Sequence, residues 1–147
     1  MFGWNNIFGL VIVIIMIIPN FLYAMRFRDA ENRCTNKIMN ILEQIGRYAS
    51  VILMFVPLGL RDFEFGFYSK MAFLVYFFCN GGLLLIYIII WLFYFKKKSL
   101  HKALALAIIP TCIFLISGIT LRHWLLVISA IIFGVGHIFI TFRNNKL

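Results

Sequence analysis

Residues 83–95 read LLLIYIIIWLFYF, an unbroken run of apolar and aromatic residues. The run is apolar on every side, so it has neither the alternating polarity of a barrel strand nor the polar face of a surface helix. It lies within a longer apolar segment, residues 71–95, which as a helix is long enough to cross a hydrocarbon core of roughly 30 Å. This stretch therefore predicts a transmembrane helix.

The composition of the whole chain supports a membrane protein. Its 147 residues are 63% hydrophobic and 13% charged, and the mean hydropathy is +0.98, whereas a soluble domain is about half apolar and about a quarter charged. Apolar runs predict five transmembrane helices, at about residues 7–25, 38–60, 71–95, 103–121 and 124–142. Because no linker rich in Pro, Gly or Ser divides the chain, we predict a single all-α domain over residues 1–147.

The distribution of cations predicts the orientation of these helices. Ten of the 14 Lys and Arg residues fall on one side of the predicted bundle. They are Arg26, Arg28, Arg33, Lys37, Lys96, Lys97, Lys98, Lys102, Arg143 and Lys146. Short cytoplasmic loops retain Lys and Arg, so we predict the N-terminus outside and the C-terminus inside. The net charge of +9 is then explained by juxtamembrane loops and anionic lipid, and we expect the bilayer, not nucleic acid, as partner.

The first span is expected to be a retained helix and not a cleaved signal peptide. No cation precedes it, and Tyr23-Ala24-Met25 is a poor cleavage site. It is therefore counted among the transmembrane helices.

The second span carries polar residues that should not face lipid. At about 100° per residue, Asn36, Asn40, Glu43, Arg47 and Ser50 fall on one stripe about 80° wide, with Gln44 beside it. Glu43 precedes Arg47 by four residues, the favourable order for an ion pair. An unpaired charge near the bilayer centre costs at least about 2.5–3.5 kcal/mol. We expect a buried pair, which is either structural or part of a functional site.

Depth along the helices predicts a polar layer in the inner half of the membrane. At 1.5 Å per residue, Asn20, Glu43 and His137 lie roughly 8–9 Å from the inner loops, and Arg47, Tyr87 and Thr111 roughly 14 Å. The candidate intramembrane site consists of Asn20, Asn40, Glu43, Gln44, Arg47, Thr111 and His137.

The fifth span carries a stripe of small residues. Ala130, Gly134, His137 and Thr141 share one helical face. We predict that Ala130 and Gly134 are helix-packing residues, since small side chains allow close helix contacts. His137 would then point inward, either as a hydrogen-bonded structural residue or as a proton carrier.

Catalysis finds no support in the sequence. There is no GxSxG, HExxH, phosphate-binding loop or dinucleotide fingerprint. The three cysteines lack the spacing of a zinc site or disulfide framework. We expect no metal, no cofactor and no enzymatic activity.

Three segments carry a family resemblance: IIPNFLYAMRFRD at residues 17–29, NKIMNILEQIGRYAS at residues 36–50 and ALAIIPTCIFLISGI at residues 105–119. They resemble a group of small uncharacterised polytopic membrane proteins of Gram-positive bacteria. The resemblance covers most of the chain and implies a multi-pass protein of the bacterial cytoplasmic membrane. It implies no particular activity.

Two functions remain open on this sequence. The favoured one is an accessory, regulatory or immunity-type membrane protein that acts through helix contacts with a second copy or a partner, because the chain has little extramembrane mass. The alternative is a small transporter or channel of unknown small-molecule substrate, with its site around Glu43, Arg47 and His137.

Overall fold

The computed structural model describes residues 6–28, 32–56 and 69–146. These residues form five α-helices: α1 (Ile7–Arg26), α2 (Lys37–Phe55), α3 (Lys70–Lys96), α4 (Leu100–Thr120) and α5 (Trp124–Lys146). The described residues contain no strand, which confirms the all-α prediction. The predicted second span continues to residue 60, and its last part lies outside the described residues.

Four of the helices, α1, α3, α4 and α5, are long and apolar enough to cross a membrane. The chain is thus a multi-pass membrane protein by the length and composition of its helices. The remaining helix, α2, is more polar along its 19 residues, which extend about 28 Å.

Side-chain caps set the beginnings of the first four helices. Asn6, Asn36, Ser69 and Ser99 each accept a hydrogen bond from a backbone N–H of the first turn. These bonds satisfy donors that have no partner within a helix. At the tight connection between α4 and α5, the Nδ1 atom of His123 accepts from the backbone N–H of Leu126 at 3.0 Å.

The helices form a ring in the order α1, α2, α5, α4, α3. The start of α1 meets the end of α2, where the backbone N–H of Asn6 donates to the carbonyl of Phe55 at 3.0 Å. At the other end of the bundle, Asn144 donates to Asn32 at 3.2 Å, and the Lys98 ammonium lies 3.7 Å from the centre of the Phe27 ring. This second end carries the ten Lys and Arg residues named above, and we call it the basic end.

The polar and apolar residues of α2 lie on different faces of the helix. Its outward face is largely apolar. Exposed apolar or aromatic residues recur on this face every three or four positions: Ile38, Ile41, Ile45, Tyr48 and Ile52. Its opposite face is buried and includes Glu43 and Ser50. The mean hydropathy of α2 is therefore low because polar groups lie inside the bundle and on its flank, while isoleucines cover its outer side.

Two glycines allow α2 and α5 to cross at close range. A Cβ atom on Gly46 would overlap the backbone of Phe133, and one on Gly136 would lie 2.7 Å from the backbone nitrogen of Glu43. Each helix thus contributes a glycine that faces the backbone of the other helix. Any larger side chain at either position must push the two helices apart.

We expect Gly46→Ala and Gly136→Ala each to lower the free energy of unfolding by about 1–3 kcal/mol, the usual cost of an overpacked contact. Gly81→Ala is the matched control, because a Cβ there would meet nothing within 4 Å, and higher helix propensity should raise stability by up to about 1 kcal/mol. Equilibrium unfolding in detergent micelles measures all three. Equal effects at Gly46 and Gly81 would contradict the close crossing.

Candidate functional site at the basic end

The centre of the candidate site is the carboxylate of Glu43, at the crossing of α2 and α5. Glu43 is only 5% exposed. Its Oε1 atom accepts a hydrogen bond from the Arg47 guanidinium one turn further along α2. The same oxygen lies 3.1 Å from Nδ1 of His137 on α5. The spacing of Glu43 and Arg47 predicts the first contact, whereas for His137 the sequence predicts only a similar depth and membership of the same candidate site.

The three groups differ in their access to water. The side chain of Arg47 is 49% exposed and that of His137 is 26% exposed. A buried carboxylate is strongly destabilising without a cationic or hydrogen-bonding partner. Glu43 and Arg47 together are neutral, so the protonation state of His137 sets the trio's formal charge at 0 or +1. Histidine is the side chain that most readily changes charge near neutral pH.

A cavity of about 570 Å³ opens at the basic end, and we call it the vestibule. It is lined by α1, α3, α4, α5 and the connection that contains Asn32 and Arg33. One wall consists of the rings of Tyr23, Trp91 and Tyr94. The vestibule is thus bounded by most of the bundle and reaches down to His137.

A second cavity of about 340 Å³, the side groove, lies between α2 and α5. Glu43, Gln44 and Arg47 line it. His137 lines both the side groove and the vestibule, and so do Asn32 and Asn144. Asn144 donates to Asn32 at 3.2 Å, so two of the side chains that both cavities share are hydrogen-bonded to each other.

The other predicted site residues divide between these cavities. Asn20 lines the vestibule and donates to the hydroxyl of Tyr87 at 2.7 Å. Asn40 and Gln44 line the side groove, and Asn40 donates to the carbonyl of Cys34 at 3.0 Å. The structure therefore places six of the seven site residues around two adjacent cavities and does not join them in one layer.

Thr111 is the exception among the predicted site residues. Its hydroxyl donates to the carbonyl of Ala107 in the preceding turn at 3.1 Å. Its methyl group faces Gly134, where an added Cβ would lie 2.5 Å from it. Ala130, on the same helix as Gly134, is fully buried. These small residues of α5 thus lie inside the chain, and Gly134 packs against α4.

Polar contacts in the opposite half of the bundle were missed by the sequence analysis. Asn6 donates to the hydroxyl of Tyr76 at 3.1 Å, and Asn80 donates to Ser117 at 2.9 Å. Tyr76 and Asn80 lie four residues apart on the buried face of α3. The signal that could have found them is this recurrence, which continues to Tyr87 in an otherwise apolar helix.

No family model, curated protein or solved structure matches this chain.

A double-mutant cycle tests the energetic link between Glu43 and Arg47. Glu43→Gln and Arg47→Met should each destabilise the bundle, and the double variant should be more stable than the sum of the two losses by about 0.5–3 kcal/mol. Arg47→Met should destabilise the bundle less than the loss of one partner from a fully buried ion pair would, because Glu43 still contacts His137. Unfolding in detergent measures the cycle.

The control cycle pairs Glu43→Gln with Lys37→Met, an exposed cation six residues earlier on the same helix. The losses of unfolding free energy in the two single variants of this control cycle should add, because the two side chains do not share a contact. Additive losses for Glu43 and Arg47 as well would contradict the pair.

Proposed function

We propose that this chain is a small carrier of polar solutes whose vestibule opens to the cytoplasm. The observation that carries the proposal is the position of His137, which contacts the buried Glu43 and lines both cavities. Ionisable groups inside a membrane protein commonly mark substrate or proton paths. Here such a group lies at the base of a cavity large enough for a small molecule.

A proton on His137 links solute binding to charge. The trio of Glu43, Arg47 and His137 gains one positive charge when the imidazole is protonated, and this charge is added beside the vestibule. Within a medium of low dielectric, one charge changes the affinity for a charged solute strongly. Proton binding and solute binding are therefore coupled at one residue.

The burial of described side chains far from the vestibule supports alternating access. Towards the end opposite the vestibule, the side chains of Met54, Tyr76 and Leu126 are fully buried. An open cavity at one end and a buried interior beyond it are expected of one of the two states through which a carrier passes. The carrier proposal requires a second state, in which these side chains separate.

The proposed topology has five spans, with the basic end in the cytoplasm of a bacterium. The apolar outer face of α2, and the contact of its end with the start of α1, support a fifth span. The cations at the basic end support the orientation, because Lys and Arg remain on the cytoplasmic side. The bacterial membrane rests on the resemblance described above.

A second candidate function is that of an accessory protein which binds another membrane helix. Arg47 and Gln44 are exposed on the flank of α2 at membrane depth, and polar side chains there can join helices of two chains. Gly134 contributes nothing to such a surface, because it packs against Thr111 within the chain. A partner helix would therefore cover the side groove.

Cysteine accessibility tests the vestibule and the orientation together. In a variant without native cysteines, Asn20→Cys and Gln44→Cys should react with a membrane-impermeant maleimide in inside-out vesicles and not in intact cells. Thr111→Cys and Ser117→Cys should stay unreactive from both sides, since both side chains are buried. Labelling of Asn20→Cys from outside would contradict the orientation, and no labelling from either side would contradict an open vestibule.

Proton-linked flux tests the carrier itself. The internal pH of proteoliposomes, read with an enclosed dye, should change when a gradient of sugars, amino acids or organic phosphates is imposed across their membrane. His137→Gln should abolish this signal because it removes the group that takes up the proton, and Glu43→Gln should abolish it because it removes the buried carboxylate that contacts His137. Thr111→Val is the control and should retain it.

If wild-type protein gives no signal with any solute class, the carrier proposal fails. Site-specific crosslinking from Gln44 in cells, compared with crosslinking from the neighbouring lipid-facing Ile45, then tests the accessory function. Crosslinks to one defined protein from Gln44 alone would favour it.

A further inference from the structure

The described residues of the vestibule wall carry positive charge. Arg33 and Lys98 line the vestibule together with His137, and no carboxylate occurs among its described lining residues. These described residues have a formal charge of +2 when His137 is neutral, one each from Arg33 and Lys98. Opposite charges attract more strongly in a cavity bounded by apolar helices than in bulk water. This electrostatic field favours an anionic ligand.

Lys98 differs from its neighbours in the basic run. Lys96 and Lys97 do not line the vestibule. The ammonium of Lys98 lies 3.7 Å from the centre of the Phe27 ring and 5.0 Å from that of Tyr23. A cation that serves only to orient the chain in the membrane needs no fixed position, whereas these two rings hold Lys98 at the cavity wall.

The remaining wall offers two kinds of surface. The rings of Tyr23, Trp91 and Tyr94 pack together, with centroids 5.5, 5.6 and 5.8 Å apart. Their faces suit the C–H side of a hydroxylated carbon chain or ring. The amides of Asn20 and Asn145 also line the cavity, and an amide oxygen can accept from a hydroxyl.

We infer that the vestibule recognises an organic phosphate with a small hydroxylated body, held by Lys98 and Arg33. The inference rests on the proposed function and names its substrate class. The volume of about 570 Å³ lies within the range of about 300–1,000 Å³ that small-molecule sites occupy. The same chemistry is present in a free sugar or polyol phosphate and in the headgroup of an anionic phospholipid.

Trp91 provides a direct probe of binding. The chain has three tryptophans, and Trp4→Phe with Trp124→Phe leaves only the one in the vestibule wall. In nanodiscs of neutral phosphatidylcholine, glycerol 3-phosphate should change the fluorescence of Trp91 saturably, and uncharged glycerol should not. Raising the salt concentration should weaken binding, because the contact is between charges.

Matched variants assign the signal to the vestibule. Lys98→Gln and Arg33→Gln should each raise Kd by about tenfold, as expected for loss of one charge-assisted hydrogen bond. Lys96→Gln and Arg28→Gln remove the same charge from exposed positions outside the vestibule wall, and should change Kd less than twofold. Lys98→Arg should retain most of the affinity. Equal losses for Lys96→Gln and Lys98→Gln would overturn the proposal, since they would indicate general surface charge.

The lipid composition of the nanodiscs identifies the source of the phosphate. If phosphatidylglycerol discs alone change the Trp91 spectrum, and Lys98→Gln removes that change, the ligand is a headgroup. If glycerol 3-phosphate acts in phosphatidylcholine discs, the ligand is a free solute. If neither does, the proposal is wrong. In that case labelling of Asn20→Cys in the cysteine experiment would still show an open vestibule. Failure of the anion site is therefore distinguishable from failure of the proposed carrier function.

Discussion

The buried carboxylate of Glu43 is the constraint on which the rest of the structure depends. In a medium of low dielectric it must have a cationic or hydrogen-bonding partner, and a helix can supply one four residues away, as Arg47 does. The second partner, His137, comes from another helix and must approach to 3.1 Å. That approach requires α2 and α5 to cross at backbone contact, which Gly46 and Gly136 permit. The rotation of α2 is thereby fixed, and its isoleucines are left on the outside.

The same constraint explains why the bundle is open at one end. Of the five acidic residues in the chain, Glu43 is the one that the described ranges 6–28, 32–56 and 69–146 contain. The single carboxylate among the described residues cannot neutralise Arg47, Lys98 and Arg33 at once, and a buried cation without a counter-ion is costly. These three cations line the side groove or the vestibule, where they keep access to water. In the opposite half, the described side chains of Tyr76 and Asn80 are uncharged and fully buried.

The sequence predicts those features that depend on neighbouring residues. Four membrane helices follow from local hydropathy, and the contact of Glu43 with Arg47 follows from their spacing on one helix. Rotation about each helix axis is a property of packing and is not encoded locally. Depth alone therefore predicts both Asn20 and Thr111 in the polar layer, although only Asn20 reaches the vestibule and Thr111 bonds within its own helix. The contact of Glu43 with His137 spans 94 residues and depends on the helix crossing, so depth alone could not predict it.

Stability alone does not account for the Glu43 trio. Replacing a buried ion pair by apolar side chains of similar volume is often neutral or stabilising, by up to about 4 kcal/mol. A bundle that needed only tight packing would be served better by leucine at these positions. Glu43 instead holds Arg47 and His137 with each of them partly exposed to a cavity, where a charge can act on something outside the chain. This arrangement places a group that can change charge beside a space large enough for a solute. For that reason the geometry favours a binding function for these residues over a purely structural one.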